Sequence, residues 1–260
     1  MTGSSSGFEK WFKSFHDRTR SDVRLVCFPH AGGSASGYFR LSAALPDWVE
    51  VWAAQYPGRQ ERRREPACTD VRALAGSLAG VLAGRLDRPY VLFGHSMGAL
   101  VAFEVALDLR RRGFRCPEML VASGRRAPST SRAEAVHRMP DSGVAAEMRL
   151  LSGTDPVFLQ DPELFEMILP ALRADYRAVE TYRPEPNATV VCPITALVGD
   201  HDPRTTIDEA RAWQGHTAAG FDLRIFAGGH FFLDECMPEV LNVLTDIMLP
   251  YSMAAHDGQS

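Results

Sequence analysis

The chain has no long apolar run. None of its hydrophobic stretches approaches the ~20 residues needed to cross a bilayer, and Met1-Thr2-Gly3-Ser4-Ser5-Ser6-Gly7 lacks the apolar segment of a secretory leader. The expectation is a cytoplasmic protein with no membrane partner. A basic excess is missing too: 28 Lys and Arg stand against 32 Asp and Glu, for a formal net charge of −4. That excludes nucleic acid as the main partner, because neutralising phosphates requires clustered positive charge. Cysteine is sparse, and Cys27, Cys68, Cys116, Cys192 and Cys236 are scattered without metal-ligand spacing. Their odd number and spacing speak against a disulfide framework or a zinc site, and predict free, buried thiols. What remains is ordinary for a globular protein: 260 residues, 45% hydrophobic and 23% charged, enough to bury a sizeable core.

Strand-like runs alternate with helix-length segments. Val23-Arg24-Leu25-Val26-Cys27-Phe28 reads as a buried strand, followed by the small-residue loop Pro29-His30-Ala31-Gly32-Gly33-Ser34-Ala35. Further strands are expected over 49–54, 90–93, 119–123, 189–198 and 223–226, and helices over 71–86, 99–112 and 238–249. This alternation predicts an α/β protein with a mostly parallel sheet, helices on both faces, and active groups on loops at the carboxyl ends of strands. Residues 1–21 read as a polar tail in which Phe8, Trp11, Phe12 and Phe15 form a short amphipathic turn packed on the body. Residues 22–127 and 187–260 form the core. Between them, 128–186 carry helical stretches at 144–151 and 162–181 but no convincing strand. About sixty residues is long for a plain crossover, so this segment is expected to be a helical lid. Leu164, Met167, Ile168, Leu172, Tyr176 and Val179 would be its apolar face.

The chemistry concentrates at Gly94-His95-Ser96-Met97-Gly98, entered from the apolar run Tyr90-Val91-Leu92-Phe93. A strand that turns sharply into a helix strains the turn residue, and small neighbours let the backbone pass, so this block reads as a nucleophile elbow. The helix N-terminus would set free N–H groups beside Ser96, where an oxyanion would form. A serine hydroxyl needs a base within hydrogen-bond reach, itself oriented by a carboxylate. Downstream, in the order expected after such an elbow, Gly199-Asp200-His201-Asp202-Pro203 supplies two carboxylates and Gly228-Gly229-His230-Phe231-Phe232 a histidine. His230 is the candidate base. Asp202 is preferred to Asp200 as the acid, because Pro203 biases the residue before it to an extended conformation, whereas Asp200 lies nearer the strand end and suits a loop cap. His95 is expected to pack beneath the site, and His30 to line its entrance. The N–H groups of Met97 and Ala31 are the candidate oxyanion donors.

Seven blocks then stand in one order: Phe28-Pro29-His30-Ala31-Gly32-Gly33, Tyr56-Pro57-Gly58-Arg59, Gly94-His95-Ser96-Met97-Gly98, Ser123-Gly124-Arg125-Arg126-Ala127-Pro128, Leu172-Arg173-Ala174-Asp175-Tyr176, Gly199-Asp200-His201-Asp202-Pro203 and Gly228-Gly229-His230-Phe231-Phe232. Together, over nearly the whole chain, they resemble the stand-alone type II thioesterases that accompany modular polyketide and nonribosomal peptide synthases. The resemblance implies an α/β-hydrolase fold, a Ser96–His230–Asp202 triad and a lid over 128–186. It implies clearance of stalled or wrongly primed acyl groups from the phosphopantetheine arms of acyl or peptidyl carrier protein domains. No cofactor of the enzyme itself is expected, since phosphopantetheine belongs to the substrate, and a monomer is the expected state. An acyltransferase is the rival enzymatic reading, although Gly98 is followed by Ala99-Leu100 where malonyl-type acyltransferases usually place a glutamate. A general carboxylesterase of the same fold and a docking protein without turnover stand behind it. Arg59, Arg62, Arg63 and Arg64 form either a carrier-docking loop or, in the preferred reading, a solvated basic run balanced by Glu61 and Glu65.

Overall fold

Strand β1 is Phe12–Lys13, β2 Val23–Phe28, β3 Val49–Ala54, β4 Tyr90–His95, β5 Met119–Ser123, β6 Ile194–Gly199 and β7 Phe221–Phe226. They come from a computed structural model that describes residues 5–151 and 161–252. The strands hydrogen-bond in the order β1-β3-β2-β4-β5-β6-β7. All neighbours are parallel except β1, which runs antiparallel to β3 at one edge. Every residue of β2, β3, β4 and β6 is buried. That is the signature of parallel strands covered on both faces, and it explains why they read as continuous apolar runs rather than alternating ones.

The covering helices are α1 (Ser5–Trp11), α2 (Phe39–Ala44), α3 (Val71–Leu82), α4 (Met97–Arg111), α5 (Asp141–Leu151), α6 (Pro162–Thr181), α7 (Ile207–Arg211), α8 (Phe232–Glu235) and α9 (Met237–Met248). One face of the sheet, including Val26, Phe28 and Leu92, packs on α3 and α4 through Leu78, Leu100 and Phe103. The other face, including Leu25, Phe93 and Val121, packs on α2 and α9 through Leu41, Val240 and Leu244. The expected α/β architecture is therefore the observed one.

Several local expectations change. The helix expected over 71–86 is α-helical only to Leu82 and tightens to a 3-10 turn over Ala83–Arg85. The strand expected over 189–198 begins only at Ile194, because Pro193 has no N–H to donate to a ladder; Val190 makes an isolated bridge to Thr217 instead. The aromatic turn near the N-terminus is helix α1, and it feeds Phe12 into the sheet edge, where that ring is buried. The five thiols are free, but only Cys27 and Cys192 are buried; Cys68, Cys116 and Cys236 are half-buried.

Between β5 and β6, α5 and α6 build a small core of their own. Val136, Val144, Met148, Leu169 and Leu172 form it, and Ala31 of the loop after β2 packs against it. The buried stripe of α6 includes Leu169, Leu172, Asp175 and Val179, at helical spacing. Leu172 and Val179 match the expected apolar face, but Met167 is exposed and Leu164, Ile168 and Tyr176 are only partly buried. The stripe is rotated because a carboxylate occupies one of its positions, and that carboxylate is paired.

Candidate active site

Ser96 sits between β4 and α4 with φ +54° and ψ −116°, a conformation that costs a non-glycine residue roughly 1–3 kcal/mol. Its neighbours show why the motif is written with glycines. A Cβ on Gly94 would stand 2.1 Å from the Gly98 carbonyl oxygen, and one on Gly98 would stand 1.9 Å from that of Phe28. No side chain fits either gap. The Ser96 N–H donates to the Ser123 carbonyl at 2.8 Å, so the strained turn is tied to the neighbouring strand end. Helix α4 then departs with Met97 as its first residue, whose N–H has no partner within the helix.

The loops after β6 and β7 bring the other two groups to this turn. His230 Nδ1 lies 2.8 Å from Asp202 Oδ2 and its Nε2 lies 3.0 Å from Ser96 Oγ. A carboxylate can only accept, so Nδ1 carries the proton and Nε2 is left to accept the Ser96 hydroxyl. Both His230 and Asp202 are buried. The second oxygen of Asp202 accepts the backbone N–H of Arg204 at 2.7 Å, which fixes the plane of the carboxylate. Asp200, the alternative acid, points elsewhere: its Oδ1 accepts the Gly228 N–H at 2.9 Å and approaches His201 Nδ1 at 2.6 Å. The Gly228 N–H and the His201 ring hold this exposed carboxyl below its usual range. Asp200 thus laces the acid loop to the base loop, assisted by the His201 N–H donating to the Gly228 carbonyl. Phe232 stacks on Phe226 with centroids 5.0 Å apart and anchors the loop, while the Phe231 and His30 rings meet nearly at right angles with centroids 4.8 Å apart.

Two further histidines crowd the base. His95 packs 5.2 Å from the His230 ring and its Nδ1 lies 3.0 Å from Ser123 Oγ. Burial pushes the His95 pKa well below the usual histidine value, and His230 and His30 nearby add to the effect. His30 donates from Nδ1 to the Ala31 carbonyl at 2.9 Å, and burial lowers its pKa as well. Both rings are therefore neutral neighbours of His230 at neutral pH.

The loop carrying Ala31 is held from four directions. Tyr38 Oη donates to the Phe28 carbonyl at 2.8 Å, and Tyr56 Oη to that of Pro29 at 3.3 Å. The Ala35 N–H donates to Gln55 Oε1 at 2.9 Å. The fourth hold comes from α6. Asp175 Oδ2 accepts the Gly32 N–H at 2.8 Å and Arg59 Nη1 at 2.9 Å, while Oδ1 accepts Arg59 Nη2 at 2.8 Å. The Arg59 guanidinium also donates to the Gly33 carbonyl at 2.8 Å. The arginine cluster is therefore not the solvated run that its sequence suggests. Arg59 is buried in this ion pair, and Arg62 is buried against Glu65, the Gln55 carbonyl and the Trp11 ring. Only Arg63 and Arg64 remain solvated. Asp175 carries a signal in the sequence, as a charged residue inside the buried stripe of an amphipathic helix; its pairing with Arg59 is not readable there.

Ser96, Ala31, His30 and His230 share a small cavity, with Phe231, Leu151, Tyr176 and Val179 among its apolar walls. Sequence reasoning misses its charged lining, which consists of Arg125, Glu134, Glu180 and Arg204. Arg204 bridges Glu134 and Glu147, and Glu180 accepts the Val136 and His137 N–H groups at 2.7 and 3.2 Å. Among the described residues, no group of three metal-ligating side chains gathers, and no helix is long and apolar enough to cross a membrane.

The chain matches the family model described as a thioesterase domain over residues 23–248. It is 48% identical over 241 residues to the probable cadicidin biosynthesis thioesterase of Streptomyces griseus, covering 93% of this chain and 66% of that protein. It is also 48% identical to thioesterase PikA5 of Streptomyces venezuelae, covering 92% of this chain and 85% of the relative. Among solved structures, the type II thioesterase BorB from the borrelidin biosynthetic cluster superposes with a TM-score of 0.85 at 45% identity, covering 91% of this chain and 97% of BorB. The thioesterase RedJ from the prodiginine pathway of Streptomyces coelicolor gives 0.84 at 39% identity, covering 89% and 87%. With the family matched across the sheet, the elbow and both downstream loops, this chain belongs to the thioesterase family, among the type II thioesterases of α/β-hydrolase fold.

Proposed function

We propose that this protein hydrolyses acyl thioesters carried on the phosphopantetheine arms of acyl or peptidyl carrier proteins, through an acyl-serine intermediate, and so clears stalled or wrongly primed chains during polyketide or nonribosomal peptide synthesis. The observation that carries the chemistry is the hydrogen-bonded chain from Ser96 Oγ to His230 at 3.0 Å and from His230 to Asp202 at 2.8 Å. The relatives named for such biosynthetic clusters support the substrate class.

In this reading His230 Nε2 takes the Ser96 proton as Oγ attacks the thioester carbonyl carbon. The Met97 and Ala31 N–H groups hold the oxyanion, and Asp202 stabilises the imidazolium that forms. The C–S bond breaks, and the thiolate leaves with the proton from His230. Water then attacks the acyl-serine, giving its proton to Nε2; the acid departs and Ser96 recovers its hydrogen. The enzyme itself needs no cofactor for these steps. Within residues 128–186, of which 152–160 lie outside the described residues, α5 and α6 serve as a lid: they wall the cavity through Leu151, Tyr176 and Val179, where they would cover the acyl chain and limit water.

The test is release of free acid from an acyl-phosphopantetheinyl carrier protein compared with the matched oxygen ester. Faster thioester turnover, lost by at least about 10³-fold in Ser96→Ala with carrier binding retained, is the expected result. Preference for the oxygen ester, transfer to thiol acceptors faster than hydrolysis, or full activity in Ser96→Ala would overturn the proposal.

A further inference from the structure

His95 is a buried imidazole that the steps above leave without a task. It ends strand β4, one residue before the nucleophile, with 1% of its surface exposed. The neighbouring strand end is shaped to receive it. Ser123, the last residue of β5 and the register partner of His95, is fully buried and sets its Oγ 3.0 Å from His95 Nδ1. Gly124 follows with φ +57°, and a Cβ there would stand 2.5 Å from His95 Cε1. No side chain fits beside the ring. The Ser123-Gly124 pair therefore serves the site twice: the serine carbonyl accepts the Ser96 N–H at 2.8 Å, while the serine hydroxyl and the bare glycine seat His95.

The ring also meets the base loop. Its centroid lies 5.2 Å from that of His230 at an interplanar angle of 48°, and 5.3 Å from that of Phe231 at 51°. Phe232, at 6.1 Å, completes the same wall. An apolar side chain would serve packing as well. It would also avoid a cost, because His95 Nε2 is shielded from solvent and meets no partner at hydrogen-bond geometry among the described residues, and the His230 carbonyl acts on the ring only as a weak acceptor. What an apolar side chain lacks is a nitrogen at the Nδ1 position. The contact with the Ser123 hydroxyl restrains the imidazole from turning about its Cβ–Cγ bond, so His95 presents a fixed face to His230.

A fixed face matters here because His230 Nε2 acts repeatedly: it takes the Ser96 proton, gives it to the departing thiolate and then takes one from water. Through every step Nδ1 has to stay on Asp202. Burial keeps His95 neutral, so the wall sets no charge against the imidazolium that forms. We propose that His95 is a positioning residue: oriented by the Ser123 hydroxyl, it holds the His230 imidazole on the line between Asp202 and Ser96 through acylation and hydrolysis. This rests on the serine mechanism of the reading above, and not on the identity of the acyl group.

The experiment compares the full chain in four forms, wild type, Ser123→Ala, His95→Ala and the double variant, with two reporters. Butanoyl-pantetheine reports steady-state hydrolysis. An alkyl fluorophosphonate reports Ser96 alone, since Oγ displaces fluoride from phosphorus while His230 takes the serine proton. The expected result is a kcat lower by about 10²-fold in His95→Ala and about tenfold in Ser123→Ala, the scale of a misplaced catalytic group, with KM unchanged and parallel losses in the phosphonylation rate. The double variant should lose no more than His95→Ala, because Ser123 acts through the ring. The Nδ1 proton of His230, read as the downfield proton NMR resonance that disappears in His230→Gln, should be sharp in wild type and broadened by exchange with water in both single variants. Wild-type phosphonylation rates in both single variants, an unchanged His230 resonance, or losses that multiply in the double variant overturn the proposal. A lower melting temperature with unchanged rates also overturns it and makes His95 a packing residue. If His95→Ala does not fold, Ser123→Ala, which keeps every ring, decides by the same rates and resonance. Wild-type protein that is phosphonylated at Ser96 but releases no acid from the thioester overturns the thioesterase reading, and the phosphonylation rates of the variants then decide the role of His95 by themselves.

Discussion

Asp175→Asn is the most informative single perturbation, because one carboxylate joins the helix over the cavity to the loop that offers the Ala31 N–H. Asp175 and Arg59 are buried, with side-chain exposures of 2% and 8%, and they meet in a two-pronged contact at 2.8 and 2.9 Å. Asn keeps one oxygen, so the Gly32 N–H retains an acceptor. It cannot neutralise the guanidinium, which keeps that oxygen and the Gly33 carbonyl as acceptors for Nη1 while Nη2 loses its own. Removing one partner of a buried pair costs about 3–5 kcal/mol, since the other charge stays behind without compensation. In a domain of this size each kcal/mol shifts the melting temperature by about 2–4 °C, so a fall of about 6–20 °C is expected. Removing both charges in Arg59→Met/Asp175→Asn should recover a large part of that loss, giving a coupling energy of about 1–3 kcal/mol in a double-mutant cycle read by urea denaturation. The surviving fold of Asp175→Asn should also show a lower kcat, because the loop holding Ala31, the proposed oxyanion donor, is freed on one side. A variant within about 0.5 kcal/mol of wild type with full kcat would refute the idea that α6 holds this loop through Asp175.

Three further outcomes follow from the same geometry. Ser96→Gly should abolish hydrolysis yet raise stability by about 1–3 kcal/mol, since glycine relieves the positive φ of the elbow; a lower melting temperature would contradict the strain. Asp202→Asn should depress kcat by orders of magnitude more than Asp200→Asn, because Asp202 holds His230 while Asp200 laces the loops; the reverse ranking in matched kinetics would exchange their roles. Burial lowers the pKa values of His30, His95 and His216 below the usual 6.5. The unfolded chain then binds more protons in that window, so stability is complete above about pH 6.5 and declines as pH falls below it, by at most about 1.4 kcal/mol per pH unit for each ring. Denaturation midpoints between pH 7.5 and 5 would check this, and a flat profile would refute it.

The core strands and the three active-site loops are legible in the sequence because each is a local pattern. Val23–Phe28 is an apolar run with a small-residue loop behind it, and the elbow announces itself through glycines that no other residue could replace. The errors cluster where partners come from far along the chain. Phe12 is buried because β1 finds β3, some forty residues later. Arg59 reads as part of a solvated run, yet Asp175, 116 residues away, closes on it. A hydrophobic pattern assigns charge to the surface, so it places Met167 of α6 inside and Asp175 outside. The fold reverses both, because the carboxylate has a buried guanidinium to meet.

Sequence alone therefore determined the order and kind of the elements, the nucleophile candidate and the loops carrying its partners, since these depend on short-range sterics and periodicity. Only the tertiary structure decided which aspartate faces His230, which arginines are buried, and that Asp175 closes on Arg59. Those outcomes depend on distances between residues far apart in the chain, and a hydrogen bond or ion pair is made or lost within a fraction of an ångström, a precision that residue order does not encode locally.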